Sequence, residues 1–273
     1  PCKKCRPYGT IPMAKGDSEY FPWQIGCLQR EVMNMKNRVT AFLAAAALVC
    51  LIPAASLAIG PYSQDFEGLN QADIAALGND GWLVFANVFG PDWAYWYGYG
   101  VFPAPNDGGG FCQIATGEGG APQGAQQLVT FSDYNNADHA NGAHIESLVF
   151  QEMVIGGDDV TETWVFDFDA KMGNLAGVST ALAFIKTLDP ANGYAETNFI
   201  TADMTAIPTT WGSYSLSIFI DATLAGQLLQ IGFQNIATLY EGSGVFYDNI
   251  NFYPSGPVAV EERSFGAVKS LFR

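Results

Sequence analysis

The chain has 273 residues, 49% of them hydrophobic and 14% charged, with a formal net charge of −15. Between Ile59 and Pro254 the imbalance is steeper, 22 Asp and Glu against Lys171 and Lys186 alone. Such a surface argues against nucleic acid and anionic membranes as partners, because both are bound through cations.

The first 58 residues read as two segments that precede the folded domain. Residues 1–32 are expected to lie outside the mature protein. They contain Cys2-x-x-Cys5 and Cys27, half a zinc site without a nearby histidine to complete it. Residues 33–58 have the order of a secretory signal. Lys36 and Arg38 form a basic start, Val39–Ile52 an apolar run, and Ser56 and Ala58 the small residues of a cleavage site. The run is shorter than the ~20 residues a membrane-spanning helix needs, so a membrane anchor is the weaker alternative. The expected location is secreted, extracellular or cell-surface, with no membrane insertion of the mature chain. Cys112 is then the only cysteine of the mature domain, whose stability must come from its core or from a bound metal.

From Ile59 the sequence is a succession of short strand-like runs. Tyr62–Gly68 opens it and Gly81–Ala86 follows after a polar loop. Gly90–Phe102 then places six aromatic side chains between Trp93 and Phe102, punctuated by Gly and Pro, and reads as an inserted loop. Phe111–Ala115 and Gln126–Phe131 are further strands. Ser132–Gly142 is a loop of turn-forming residues. Ile145–Ile155 is largely apolar and could be helix or strand; its setting favours strand.

Thr163–Ala170 alternates cleanly, with Trp164, Phe166, Phe168 and Ala170 on one face. Thr180–Leu188, Phe199–Ile207, Pro208–Ile220, Leu228–Asn235 and Val245–Tyr253 complete the set. Some nine or ten short strands without a long amphipathic helix predict one all-β domain over 59–254, a jelly-roll sandwich of two antiparallel sheets. Residues 255–273 change character and read as a C-terminal tail. Trp82, Trp164 and Trp211 sit at strand positions and are expected in the core.

The last strand is the most informative. By the two-residue period Phe246, Ile250 and Phe252 share a face, and Asp248 falls among them. A carboxylate on an apolar face needs a partner, and with basic residues so scarce a hard cation such as calcium is a natural one.

Four motifs, in order, resemble the jelly-roll carbohydrate-binding modules that bind cellulose, xylan and related glycans. They are Asp65-Phe-Glu-Gly68, Gly81-Trp82, Thr210-Trp-Gly-Ser-Tyr-Ser-Leu-Ser217 and Phe246-Tyr-Asp-Asn-Ile-Asn-Phe252. The resemblance spans about Tyr62–Tyr253. It implies a non-catalytic polysaccharide-binding protein. It also implies a structural calcium between first and last strands, with Glu67, Asp248 and Asp65 as ligands; Asn249 stands where some relatives carry a second acid. Glycan binding needs exposed aromatic faces flanked by amides and carboxylates. Trp93, Tyr95, Trp96, Tyr97 and Tyr99 are the richest supply, with Asp92 and Asn106 near them, although this segment matches no motif of the family.

Two other classes remain open. A structural surface or matrix protein with a calcium-stabilised sandwich would suit the acidity and would assemble with its own kind. A polysaccharide hydrolase or lyase would draw on His139 and His144, the only histidines, with Asp138 and Glu146, or on a carboxylate pair set by distance instead of by spacing in sequence. No nucleophile motif accompanies them.

Overall fold

The computed structural model describes residues 59–256. The upstream segment, the expected signal and nearly all of the tail therefore lie outside the described residues. Twelve strands form two antiparallel sheets. They are β1 (Tyr62–Gln64), β2 (Leu83–Phe89), β3 (Tyr95–Pro103), β4 (Cys112–Thr116), β5 (Gln126–Thr130), β6 (His144–Val154), β7 (Glu162–Met172), β8 (Thr180–Asp189), β9 (Ala195–Asp203), β10 (Gly212–Ile220), β11 (Leu228–Ala237) and β12 (Val245–Pro254).

Sheet I runs β10-β7-β12-β5-β4, and β1 also pairs with β12; sheet II runs β3-β2-β6-β11-β8-β9. The chain stays within one sheet from β2 to β3, β4 to β5 and β8 to β9, and crosses between the sheets at every other connection of these strands. That is the jelly-roll sandwich the strand pattern predicts. A single turn of helix, Ala76–Asn79, lies before β2, and no helix among the described residues is long and apolar enough to cross a membrane.

The core lies between the sheets. Val84, Ala86, Val149, Ile185, Ile231 and Phe233 of sheet II meet Phe166, Phe168, Tyr247, Ile250 and Phe252 of sheet I. The alternation read in Thr163–Ala170 is realised, with Trp164, Phe166, Phe168 and Ala170 all buried. Trp82 joins them, stacked on Phe233 at 6.3 Å.

Several expectations are corrected. The aromatic segment is a strand, not an inserted loop: β3 pairs with β2 along its length, from Tyr95 opposite Phe89 to Pro103 opposite Leu83. Its Gly98 and Gly100 look like loop punctuation but make room for neighbours. A Cβ on Gly98 would stand 3.0 Å from the Phe85 ring and from the Tyr95 hydroxyl. The run Phe199–Ile207 begins earlier, as β9, and ends at Asp203. Trp211 is half-buried before β10, its Nε1 donating to the Glu118 carbonyl, rather than a core residue.

The face assignment of the last strand also changes. The pairing of β12 with β7 slips between Asp248 and Asn251, and Asn249 has φ +48. One extra residue at a bulge inverts every side chain beyond it. Val245 and Tyr247 therefore point to the core before the bulge, and Ile250 and Phe252 after it. Phe246 is turned away from them, under the Lys171 ammonium 5.2 Å from its ring.

Candidate functional site

Sheet II is apolar on both faces. Its inner face joins the core, and Leu148, Phe150 and Phe184 form a separate buried cluster with Leu83, Phe85 and Leu182 against it. Register explains the cluster. Phe85 pairs with Leu148, Leu83 with Phe150, Phe150 with Gly232 and Gly232 with Phe184. Across the middle of the outer face, the bare Gly232 backbone thus lies between two phenylalanines.

Phe85, Leu148 and Phe150 of this cluster floor an open groove of about 510 Å³, lined also by Asn87, Glu152, Lys186, Tyr194 and Gln230. Its polar groups are held in pairs. Asn87 Nδ2 donates to Glu146 Oε1 at 2.7 Å, and Gln230 Nε2 donates to Glu152 Oε2 at 2.7 Å. Lys186 Nζ sits 4.7 Å from the Phe199 ring centre, 5.3 Å from that of Phe184 and 3.8 Å from Glu196 Oε2. Burial pushes its amine below the usual lysine range, while the Glu146 and Glu196 charges oppose that.

Exposed aromatics stand at both ends. Trp93 stacks on His144 with ring centres 3.8 Å apart and leaves 54% of its own surface exposed. His144 pairs with Phe89 one step beyond the Asn87–Glu146 pair, so this stack continues the same face. At the other end Tyr194 is 61% exposed in the turn after β8. Both hold left-handed backbone, φ +64 at Trp93 and +62 at Tyr194. Bulky residues seldom adopt that conformation, although buried Phe66 and Phe111 share it here, so exposure on the sheet face and not backbone strain sets these two aromatics apart.

The structure divides the residues singled out from sequence. Trp93 and Tyr95 reach the outer face of sheet II, with Tyr95 edge-on to Phe89 at 5.7 Å. The Trp96 indole lies over Gly90, where a Cβ would stand 2.8 Å from Nε1. Tyr97 and Tyr99 are tied to the loop after β5, their hydroxyls donating to Asp138 at 2.6 Å and to Asp133 at 2.7 Å. Tyr99 is half-buried against the core, and burial followed by the Asp133 interaction, against a bond from Asn136, raises its hydroxyl above the ordinary range. Asp92 accepts from Ala94 N in the exposed turn that presents Trp93.

Asn106 is a clamp instead of a ligand-facing amide. Its Nδ2 donates to the Gln71 and Asp73 carbonyls at 2.9 Å each, and its Oδ1 accepts from Ile114 N at 2.7 Å. Asn106→Ala should lower stability by ~1–3 kcal/mol, since it strands three backbone groups, and leave ligand affinity unchanged. Urea unfolding beside a binding titration checks both.

The histidines do not form a joint centre. His139 is buried, its Nε2 3.0 Å from the Asp133 carbonyl and its Nδ1 without a partner, whereas His144 lies under Trp93. The groove on sheet II was missed because its residues come from five strands and the turn after β8. One signal was present: Leu148-Val149-Phe150 in β6 are three consecutive apolar residues, which breaks the alternation of a strand with one buried face and marks cover on both sides.

The acidic residues of the ends of sheet I come near one another, but no three His, Cys, Asp or Glu side chains among the described residues form a metal cage. Asp65 Oδ1 accepts from Glu67 N, and Glu67 Oε1 accepts from Ala125 N and Gln126 N at 2.7 and 2.6 Å. Asp248 accepts from Asn249 N through Oδ1 at 2.6 Å, and its buried Oδ2 has no partner. Burial pushes its carboxyl up to about 7, opposed by the Asn249 N–H and assisted by the charges of Asp169, Asp65 and Glu67. Asp169 is held below the usual range; hydrogen bonds from Ser213, Asn249 and Gln123 outweigh its own burial.

Fold and site define a jelly-roll sandwich with an aromatic-flanked groove on one sheet. No family model matches the chain, and no curated protein does. Among solved structures, the C-terminal family 22 carbohydrate binding module of Clostridium thermocellum Xyn10B is similar at 14% identity and a TM-score of 0.38, over 72% of this chain and 94% of that one. The Stig cyclase Fisc of Fischerella sp. TAU is similar at 14% identity and 0.39, over 74% and 92%. The enzymatically active domain of bacteriophage CBA120 tailspike protein 4 is similar at 14% and 0.38, over 68% of this chain, which spans 21% of the tailspike domain. Carbohydrate-binding β-sandwich modules recur among these structures, the class the motif order resembles. At such scores the likeness carries no argument about ligand, and the site is read from its own residues.

Proposed function

We propose that this is a secreted, non-catalytic protein that binds a polysaccharide chain across the outer face of sheet II. The observation that carries the reading is the pair of exposed aromatics on one face of sheet II, Tyr194 in the lining of the groove and Trp93 stacked on His144 at the opposite end of that face. Between them lie amide–carboxylate pairs and an apolar floor. Pyranose rings offer C–H patches to stack on aromatic faces and hydroxyls to bond amides and carboxylates, and this face supplies both. The groove carboxylates Glu146 and Glu152 are each tied to an amide, and the histidines are buried or stacked, which favours binding over catalysis.

A structural calcium completes the proposal. The orphaned, buried Asp248 Oδ2 among neighbouring carboxylates suits a hard cation. Asp248 would be its first ligand; Glu67 and Asp65 would have to turn oxygens toward it from their present backbone partners, since the three are not gathered into a cage in this structure.

The test is a glycan array on the full chain, followed by titration of the best oligosaccharide against Trp93→Ala and Tyr194→Ala. Each variant should bind about ten-fold more weakly, a loss of ~1.4 kcal/mol, with an unchanged circular dichroism spectrum. A folded chain that binds no glycan, or variants that bind as well as the parent, would overturn the reading and turn attention to self-assembly.

A further inference from the structure

The charges on the groove point to the kind of glycan, an inference that rests on the reading above. Among the described residues the face presents Glu146, Glu152 and Glu196 but one Lys or Arg, Lys186. That ammonium is committed: its side chain is 13% exposed, and it lies over the Phe184 and Phe199 rings and beside Glu196. An acidic sugar laid in the groove would find no free cation, and a carboxylate or sulfate taken from water without a partner is strongly disfavoured.

The carboxylates are differently placed. Glu152 gives one oxygen to Gln230 and Glu146 one to Asn87. Among the described residues no protein group donates to Glu152 Oε1 or Glu146 Oε2. Each is oriented by its amide partner and keeps one oxygen for a ligand. An ammonium would form a charge-assisted hydrogen bond there, stronger than a hydroxyl forms with the same oxygen. The aromatic floor and ends meanwhile accept the sugar ring as they would any pyranose.

We propose that the groove of sheet II takes a glycan carrying free amino groups, a chain of de-acetylated hexosamine units, with an ammonium at Glu152, and that it rejects uronate and sulfated glycans. The acidity of the whole domain would attract any polycation at long range, so the test must separate the groove from the surface.

The full chain is titrated with length-matched oligosaccharides of four kinds: glucosamine, N-acetylglucosamine, neutral glucose or xylose, and galacturonate. The same series is run on Glu152→Gln, which keeps the acceptor for Gln230, and on Glu162→Gln, an equal charge change at an exposed position of β7. The glucosamine oligomer should bind at least ten-fold more tightly than the neutral one, and the galacturonate oligomer should not bind measurably. Glu152→Gln should erase the amino preference, bringing glucosamine and neutral oligomers to the same affinity whatever that affinity is; Glu162→Gln should leave the preference intact. Galacturonate binding as tight as neutral binding would overturn the selectivity alone, as would equal effects of the two substitutions. No binding of any of the four by the folded chain would overturn the glycan reading and this inference with it.

Discussion

Phe233→Ala should lower the unfolding free energy by ~3–5 kcal/mol, the range for emptying a large aromatic site in a closed core. Phe233 is fully buried on the central strand β11 and is the point where the two sheets meet. Its ring stacks on Tyr247 with centres 3.5 Å apart, and Trp82, Phe166 and Phe168 surround it at 6.3, 5.8 and 5.3 Å. Those neighbours belong to β7, β12 and the approach to β2, elements pinned by their own ladders, so they cannot close the void without leaving their registers. Phe233→Leu, which fills most of the space, should cost much less. Urea unfolding of the three proteins at one pH checks the order; a loss under ~1 kcal/mol for the alanine variant would mean the sheets slide to refill the site.

The second large effect concerns Asp248 and calcium. In the presence of a chelator its carboxyl titrates at about 7, for the reasons of burial and neighbouring charge already given, whereas an unfolded aspartate titrates near 3.9. The folded chain therefore keeps up to about pH 7 a proton that the unfolded chain has released near pH 4. Stability from this group is complete below pH 4, falls as pH rises to 7 and is flat above. The difference amounts to about 2–4 kcal/mol at pH 8.

Calcium should remove the loss, because an ion on Asp248 favours the charged form and is bound only by the folded chain. Asp248→Asn should be more stable than the parent in chelator at pH 8 and indifferent to calcium. Thermal unfolding of both proteins at pH 5 and pH 8, with calcium and with chelator, separates the effects. A parent equally stable at both pH values in chelator, or unmoved by millimolar calcium, would remove the metal from the account.

Strand content and sheet number were readable from the sequence because burial alternates. Thr163–Ala170 has the period of a half-buried strand, and the structure buries the very residues on its apolar face. The closing strand was readable as a strand but not as a surface. A bulge at Asp248–Asn249 moves Phe246 to the opposite side, and nothing local distinguishes Asp-Asn at a bulge from Asp-Asn in register. β3 was hidden for the converse reason. Its glycines serve the rings of Phe85 and Tyr95, a long-range need that looks in sequence like a flexible loop. The groove was least legible, since Asn87, Glu152, Lys186 and Gln230 meet only through the ladders of β2, β6, β8 and β11. Trp93 and Tyr95 could be picked out in advance; their division from Tyr97 and Tyr99 depended on which side of an edge strand each occupies.

The place of β12 bears on how the chain acquires its fold. This strand, the last of those described, lies inside sheet I, paired with β7 on one side and with β5 and β1 on the other. Tyr62 finds Phe252 as its partner, and the ladder between them cannot start until nearly two hundred intervening residues have left the ribosome. Sheet I thus has a gap at its middle throughout synthesis, and contacts of such separation in sequence close slowly because so much loop entropy precedes the first gain. Until β12 is made, β5 and β7 each keep an unpaired edge, the kind of surface that invites wrong pairing.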